Sequence, residues 1–327
     1  MKILITGVAG FIGSNLAESF LADGHEIVGY DNLSQGDLLN TARFQKNPKY
    51  KFIKADILDE AIFIKSAEGC DVIYHLAAFK IPRYESAYNT LNINTVGTKN
   101  AIEAALAHDA LLVFSSTSDV YGKNPNVPFS ENHDLVLGPP TVRRWAYAIS
   151  KAFDEQLIFA EAERRKLKFS IVRFFGGYGP HQNLTWWGGP QSVFISCALD
   201  NQPITVHGDG LQTRSFTYIA DHVEGLKSIL KTDKSRGEVF NLGNNREITI
   251  IGLAKMIWTM IRPGTEPKIE MVPYATFGKY EDVMRRVPDI QKSQNILGFA
   301  AEWSLEKGLP ITIEWQKARR QELVTKT

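Results

Sequence analysis

The chain of 327 residues has only two cysteines, Cys70 and Cys197, and their separation suits neither a metal-ligating pattern nor a disulfide framework. They read as reduced, packed thiols of an intracellular protein. No apolar run is long enough to span a bilayer, and the residues ahead of the first glycine turn are too few for a secretion signal. A soluble, cytoplasmic protein is therefore expected, with no membrane partner. Long basic runs are missing too. With 37 Lys and Arg against 36 Asp and Glu, the formal charge is +1, which argues against nucleic acid but leaves room for a discrete anionic ligand. The histidines His25, His75, His108, His133, His181, His207 and His222 have no zinc spacing, so no metal is expected. His75, after a short apolar run, reads as satisfying backbone groups at a sheet edge. Internal repeats and low-complexity segments are absent. Apolar residues are not scarce: at 44% they suffice for one large α/β domain or one with a smaller appended lobe.

The richest local signal is at the start. Residues 2–6 form a short apolar strand, followed by Gly7-Val-Ala-Gly10-Phe-Ile-Gly13 and a helical pattern through Leu16, Phe20 and Leu21. A second strand at 26–30 ends at Asp31. Strand, glycine turn, helix, strand and acid in this order describe a dinucleotide site. Gly7 permits the tight turn, Gly10 the approach of a pyrophosphate, and Gly13 close packing of helix on sheet. Free N–H groups at the helix start face the phosphates. A carboxylate at Asp31 accepts both ribose hydroxyls and repels a 2′-phosphate, so NAD is expected rather than NADP. Phe11, Ile12 and Asn32 flank these positions as further cofactor candidates. Asp56 and Ile57 follow the strand at 50–54, and Leu76, Ala77 and Ala78 follow the strand at 71–75. Both sets sit at strand ends, the rim where open α/β sheets place ligands. Asp56 reads equally well as an adenine contact or a helix cap.

Further elements follow in alternation: helices at 60–68 and 89–108, a strand at 110–115, a polar loop at 122–140, a long helix at 141–168 and a strand at 169–175. This is an α/β chain, a Rossmann-type doubly wound parallel sheet with right-handed crossovers. Beyond 175 the alternation breaks at a glycine- and tryptophan-rich stretch. There we expect a helix at 191–199, a small hairpin formed by 204–206 and 208–210, and an extended run at 212–218. A helix at 221–231, a strand at 238–242, a helix at 249–261, mostly loop over 262–295 and a closing helix at 303–321 complete the pattern. We divide the chain into a mainly NAD-binding part, 1–175, and a mainly substrate-binding lobe, 176–327, with some segments returning to the sheet.

Tyr147 and Lys151, four apart on the long helix, share one face. A nearby ammonium favours the phenolate, so the pair is suited to taking a proton from an alcohol while a nicotinamide accepts hydride. Ser115-Ser116-Thr117-Ser118-Asp119, directly after a strand, gives the pair its weight. Thr117 is placed to donate to the alcohol oxygen, and Ser118 and Asp119 extend into the same site. Arg173, Arg214 and Arg286 are candidates for a diphosphate or a carboxylate, since the guanidinium fork binds two oxygens. For Arg285 a surface salt bridge is the better reading. Lys80, Gly176 and Gln191 complete the substrate-facing candidates, and Trp186 and Trp187 read as pocket lining or lobe core.

Together these residues resemble the extended short-chain dehydrogenase/reductase family, in its nucleotide-sugar epimerase, dehydratase and decarboxylase branch. The resemblance covers nearly the whole chain, through Gly7-x-x-Gly10-x-x-Gly13, Asp31, Asp56, residues 75–78, Asn94, residues 115–122, Tyr147-x-x-x-Lys151, residues 173–180 and residues 214–218. It implies NAD as a cofactor reduced and reoxidised within one turnover, on a nucleotide-diphosphate sugar that is UDP-linked. It implies that Tyr147 is the base, that Lys151 holds the nicotinamide ribose, and that Thr117 bonds the sugar hydroxyl. Residues 144–147, Arg-Trp-Ala-Tyr, and the late Tyr280-x-Asp282-x-x-x-Arg286 are similar to the UDP-glucuronate decarboxylases, where the matching arginine engages the sugar carboxylate. The expected reaction is transient C4 oxidation leading to UDP-glucuronate decarboxylation. The alternative is 4-epimerisation of UDP-glucuronate or UDP-glucose. Asp119 stands where those decarboxylases carry glutamate, and Gly176 where much of the family carries asparagine. The resemblance also implies a homodimer through residues 89–108 and 141–165.

Overall fold

A computed structural model describes residues 1–80, 86–277 and 281–324. Six strands, β1 (Lys2–Thr6), β2 (Glu26–Asp31), β3 (Tyr50–Lys54), β4 (Val72–His75), β5 (Leu111–Thr117) and β6 (Phe169–Phe174), appear where apolar runs were read. The short β7 (Gly176–Tyr178) follows, then β8 (Ile204–His207), β9 (Thr213–Tyr218) and β10 (Glu238–Leu242). β10 joins the first six in one parallel sheet of order β10-β6-β5-β4-β1-β2-β3. The order turns back on itself at β1 and β4, so crossovers on either side leave a crevice at their carboxyl ends. Ile3, Ile5, Val72, Leu111 and Val113 are buried against one helical layer, and Leu4, Ile73, Leu112, Phe114 and Ile171 against the other. Burial on both faces explains why these strands read as continuous apolar runs rather than as alternating ones.

The layers are α1 (Phe11–Ala22), α2 (Glu60–Ser66), α3 (Ala87–Ala107) and α4 (Trp145–Arg165), with α3 packed on α4. α2 starts on an Asp59 cap and α3 on a Ser86 cap, each side chain accepting a backbone N–H of the first turn. α4 begins at Trp145, not at 141, because residues 141–144 are spent in a turn, and it stops where Lys166 adopts a left-handed conformation (φ 62°). Beyond β6 lie α5 (Pro190–Leu199), α6 (Ile219–Ser228), α7 (Ile250–Ile261), α8 (Gln291–Leu297) and α9 (Leu305–Val324), with the strands β11 (Glu247–Thr249), β12 (Ile269–Val272) and β13 (Arg285–Arg286).

Two expectations for the lobe are corrected. Residues 204–210 do not form a hairpin: β8 pairs in parallel with β12, more than sixty residues later. The stretch 262–295 is accordingly less loop than expected, since it holds β12, β13 and α8. β7 and β13 both pair in parallel with β9, and β11 pairs antiparallel to it. This small sheet carries Arg214 and Arg286 side by side. Among the described residues no helix is long and apolar enough to cross a membrane.

Packing of α1 onto the first turn has the least tolerance. A Cβ added at Gly13 would lie 2.2 Å from the Gly7 carbonyl oxygen, and Gly7 itself has φ +71°. Gly13→Ala is therefore expected to destabilise the protein by roughly 1–3 kcal/mol, the usual cost of overpacking. It should also weaken dinucleotide binding; denaturant melts and calorimetric titration with NAD measure the two effects, and an unchanged pair of values would contradict this account.

Candidate active site

The carboxyl ends of β1, β2, β4, β5 and β6 open into one cleft of about 840 Å³. One end is the glycine turn, with Gly7, Gly10, Phe11, Ile12 and Gly13 on the wall. Asp31 and Asn32 stand at the end of β2, with Asp56 and Ile57 beyond β3. The Asp31 carboxylate accepts the Ala9 N–H at 3.0 Å and the Leu33 N–H at 2.8 Å. Burial raises its pKa against the pull of those two donors. Asp56 is not the cap of α2. Its oxygens take Asn32 Nδ2 at 2.8 Å and the Leu58 N–H at 3.0 Å, which fixes the rim between β2 and β3. Leu76, Ala77 and Ala78 form the opposite wall, and Lys80 opens into the cleft beyond them. Asn94 holds this segment by accepting the Phe79 N–H at 2.8 Å and donating to its carbonyl at 3.1 Å.

His75 departs from the sequence reading. It lies inside the sheet on β4, fully buried, and its Nδ1 meets the Thr6 hydroxyl at 3.0 Å instead of a backbone group. Burial, helped by the Lys151 charge, pushes its pKa down to about 3, so the ring is neutral. The Thr6 oxygen in turn accepts the Leu76 and Ala77 N–H groups, both at 3.1 Å, and so shapes the cofactor wall.

Thr117 ends β5, and its hydroxyl bonds the Tyr147 phenol. Thr117, Ser118, Asp119 and Tyr147 all line the cleft. Lys151 lies beneath, 1% exposed, with its Nζ 4.4 Å from the Phe114 ring centroid and no hydrogen-bond partner among the described residues. Burial pushes its pKa down to about 8, opposed by Asp154 and Glu155. An orphaned buried ammonium beneath a cleft that carries the glycine turn and the Asp31 carboxylate on its wall fits a dinucleotide, whose ribose hydroxyls would supply the missing acceptors. The expected lowering of Tyr147 is not present in the protein alone. Enclosure raises the phenol above its ordinary range and the Asp119 charge adds to this, outweighing the Thr117 bond and the Arg286 charge.

The remaining wall is a chain of alternating charges. Asp119 Oδ1 is bonded by Arg286 and lies 3.3 Å from Arg144 Nη2. Arg144 Nη1 reaches Asp282 at 3.1 Å, and Asp282 accepts Arg214 Nη2 at 2.8 Å and the Tyr274 hydroxyl at 2.6 Å. Burial opposes ionisation of both acids, yet the arginines win: Asp119 is held below its usual range, and Asp282 falls to about 2. Arg144 and Asp282 escaped sequence reading as site residues, although both stand in the stretches quoted above. Tyr280 lies outside the described residues. Gly176 and Gln191 face the cleft, as do Trp186, stacked on His207 at 4.7 Å, and Trp187. Arg285 makes the surface pair with Glu247 at 2.8 Å.

Arg173 does not face the cleft. It is buried in a bidentate pair with Glu155, at 3.0 and 2.6 Å, and donates to the Tyr121 hydroxyl at 2.9 Å. Positions 36, 37, 40, 181, 315 and 319, which also line the cleft, were missed. They meet only through tertiary structure. Among the described residues no group of His, Cys, Asp and Glu is arranged to hold a metal.

Asp282 supplies a pH signature. Its folded pKa of about 2 lies below the ordinary value of 3.8, so its stabilisation is full above that value and is lost as pH falls towards 2. Asp282→Asn is expected to lower stability at neutral pH by about 2 kcal/mol and to flatten the acid limb between pH 4 and about 2. Urea melts across that range check both.

A profile of the NAD dependent epimerase/dehydratase family matches residues 3–243. UDP-N-acetyl-alpha-D-glucosaminuronate decarboxylase of Bacillus cytotoxicus is 35% identical over 318 residues, covering 96% of this chain and 97% of the relative. UDP-glucuronic acid decarboxylase 6 of Arabidopsis thaliana is 34% identical, covering 96% and 88%. Among solved structures, UDP-glucuronic acid 4-epimerase from Bacillus cereus, in complex with UDP-glucuronic acid and NAD, superposes with a TM-score of 0.87 at 28% identity, covering 98% and 100%. The family match begins within β1 and runs past the end of β10, taking in the whole parallel sheet and the Thr117–Tyr147 pair, and the chain belongs to the NAD dependent epimerase/dehydratase family.

Proposed function

We propose that this enzyme decarboxylates a UDP-linked glucuronate through transient oxidation at C4. The observation that carries the reading is Arg286, a guanidinium that lines the same cleft as the Thr117–Tyr147 pair and is near enough to act on the Tyr147 phenol, where it can read a sugar carboxylate. Both named decarboxylases act, by their names, on UDP-linked uronates. Bound NAD supplies a hydride acceptor that is regenerated in the same turnover, together with a positive charge that favours the phenolate. Gly7, Gly10, Gly13, Asp31 and Lys151 would hold it, with Asp56 and the wall from Leu76 to Ala78.

Tyr147 takes the proton of the sugar 4-hydroxyl while Thr117 bonds that oxygen. Once the hydride on C4 has left as well, the sugar is a 4-ketone, β to the C6 carboxylate. The C5–C6 bonding pair then moves into the carbonyl, carbon dioxide leaves, and Thr117 and Tyr147 donate to the enolate oxygen. Reprotonation at C5 and reduction at C4 give the pentose. Asp119, held ionised by its arginines, is a poor proton acceptor, so it serves by setting the Arg286 guanidinium. Arg214 and Gln191 face the diphosphate, and Lys80 with Ser118 completes the polar wall. Arg173 takes a structural role. The cofactor half ends near residue 175 and the substrate lobe follows, with β10 returned to the sheet.

The likeness to UDP-glucuronic acid 4-epimerase favours a second reading, 4-epimerisation of the same class of sugar. Gly176 does not open the pocket, since a Cβ there would meet Phe216 and the Ser215 carbonyl, both at 2.9 Å. Incubation with UDP-glucuronate distinguishes the two. Decarboxylation lowers the product mass by one carbon dioxide, whereas epimerisation keeps the mass and inverts C4 in the proton spectrum. Loss of carbon dioxide is expected, and Tyr147→Phe should abolish turnover with NAD binding retained. An unchanged mass with inverted C4 would move the assignment to the epimerase.

We place the protein in the cytoplasm, in keeping with two unbridged cysteines, and read it as a homodimer. α3 and α4 pack together yet leave Leu91, Ile149 and Phe153 exposed, 39%, 38% and 49% respectively, which suits a four-helix contact with a second copy. Sedimentation velocity should give a dimer for the native chain and a monomer for Phe153→Glu; a monomeric native chain at micromolar concentration would end this reading.

A further inference from the structure

We propose that Arg319, on α9, is a cofactor-retention residue. Its pair with Asp37 fastens the lobe onto the loop that walls the ribose side of the cleft, and so slows release of NAD. This rests on the reading that NAD is recycled rather than exchanged.

The loop is built inward from the point of attachment. Arg319 is 9% exposed, and its Nη2 bonds Asp37 Oδ2 across 282 positions of sequence. Its Nη1 lies 3.2 Å from Glu322 Oε2. The Asp37 N–H donates to the Ala9 carbonyl in the glycine turn at 3.0 Å, and Asn40 Nδ2 donates to the same oxygen at 2.9 Å. Gly36 backs directly onto Asp31: a Cβ there would lie 2.9 Å from Asp31 Oδ2. Arg319 therefore holds, through one short segment, both the carboxylate suited to the ribose and the turn suited to the pyrophosphate.

The rest of α9 is anchored too. Trp315, one turn before Arg319, stands 6.0 Å from the His181 ring, whose Nδ1 meets Ser14 of α1 at 2.9 Å. Gln316 donates to the Ser192 carbonyl at 2.9 Å and to the Ser196 hydroxyl at 2.7 Å, tying α9 to α5. Trp315, Arg319 and Leu323, spaced at four residues, present one stripe to the cleft that Asp31 also lines. A cofactor regenerated at every turnover gains nothing by leaving. The constraint that matters is how often this wall opens, and that frequency appears in the dissociation rate.

The test is the release rate of NAD from the holoenzyme, followed after dilution into a trap that consumes free NAD, with no sugar present. Arg319→Ala and Asp37→Ala should each release NAD about three- to tenfold faster, in the range expected when a partly screened ion pair is lost. The exchanged pair, Arg319→Asp with Asp37→Arg, should recover most of the native rate. A general loss of packing would not be rescued by exchanging charges. Native release rates in both single variants, or a double variant no slower than the singles, would overturn the proposal, even if melting temperatures fall. Should Arg319→Ala fail to fold, Asp37→Ala and the exchanged pair decide the matter. If the native protein holds no NAD, the underlying reading fails with it; if it holds NAD but leaves UDP-glucuronate unchanged, the release rates still decide this point.

Discussion

Five side chains of alternating sign, Arg286, Asp119, Arg144, Asp282 and Arg214, determine the character of the cleft. Asp119 follows a strand of the large sheet and Arg144 precedes α4, whereas the other three belong to the small sheet and the segment leading into it. The chain of charges is thus also the seam between the two parts. Partly buried ions are costly unless each has good partners, and here every acid has at least two donors. Three cations against two anions leave the seam with positive character, arranged before any ligand arrives. Such preorganisation is what favours an anionic substrate and negative charge developing on it.

The same seam separates two kinds of acid–base work. Guanidinium neighbours make the carboxylate beside them a weak base. Enclosure pushes the Tyr147 phenol towards its protonated form, so a further positive charge in the site would favour its ionisation. On the proposed mechanism, proton transfer is therefore coupled to cofactor occupancy. Lys151 contributes through its unmet hydrogen bonds more than through an electrostatic effect on Tyr147. Sequence spacing alone suggested the opposite emphasis.

Much of the large sheet was legible because strands buried on both faces leave unmistakable apolar runs and because Gly7, Gly10, Gly13 and Asp31 lie close together in the chain. Thr117 and Tyr147 were legible for a related reason: a strand end and a helix face each carry a local signature. The small sheet was not. β13 has two residues and β7 three, too short for any periodicity, and β8 finds its partner in a stretch whose composition reads as loop. Arg173 misled because an arginine after a strand suits an anion, while its buried partner Glu155 is visible only when α4 is turned to face it. The contacts of Arg319 and Asp37 carry no local signal at all.

The return of β10 to the large sheet has a bearing on autonomy. β6 lies between β5 and a strand that arrives only after the chain has travelled through β7, β8, β9 and α6. Severing the chain near residue 175 would strip β6 of a neighbour and lay bare a row of unpaired amides and carbonyls, the kind of edge that recruits other chains. The nucleotide-binding portion is therefore not a module that could be transplanted or evolve by itself, and the lobe is better regarded as a long excursion within one cooperative unit.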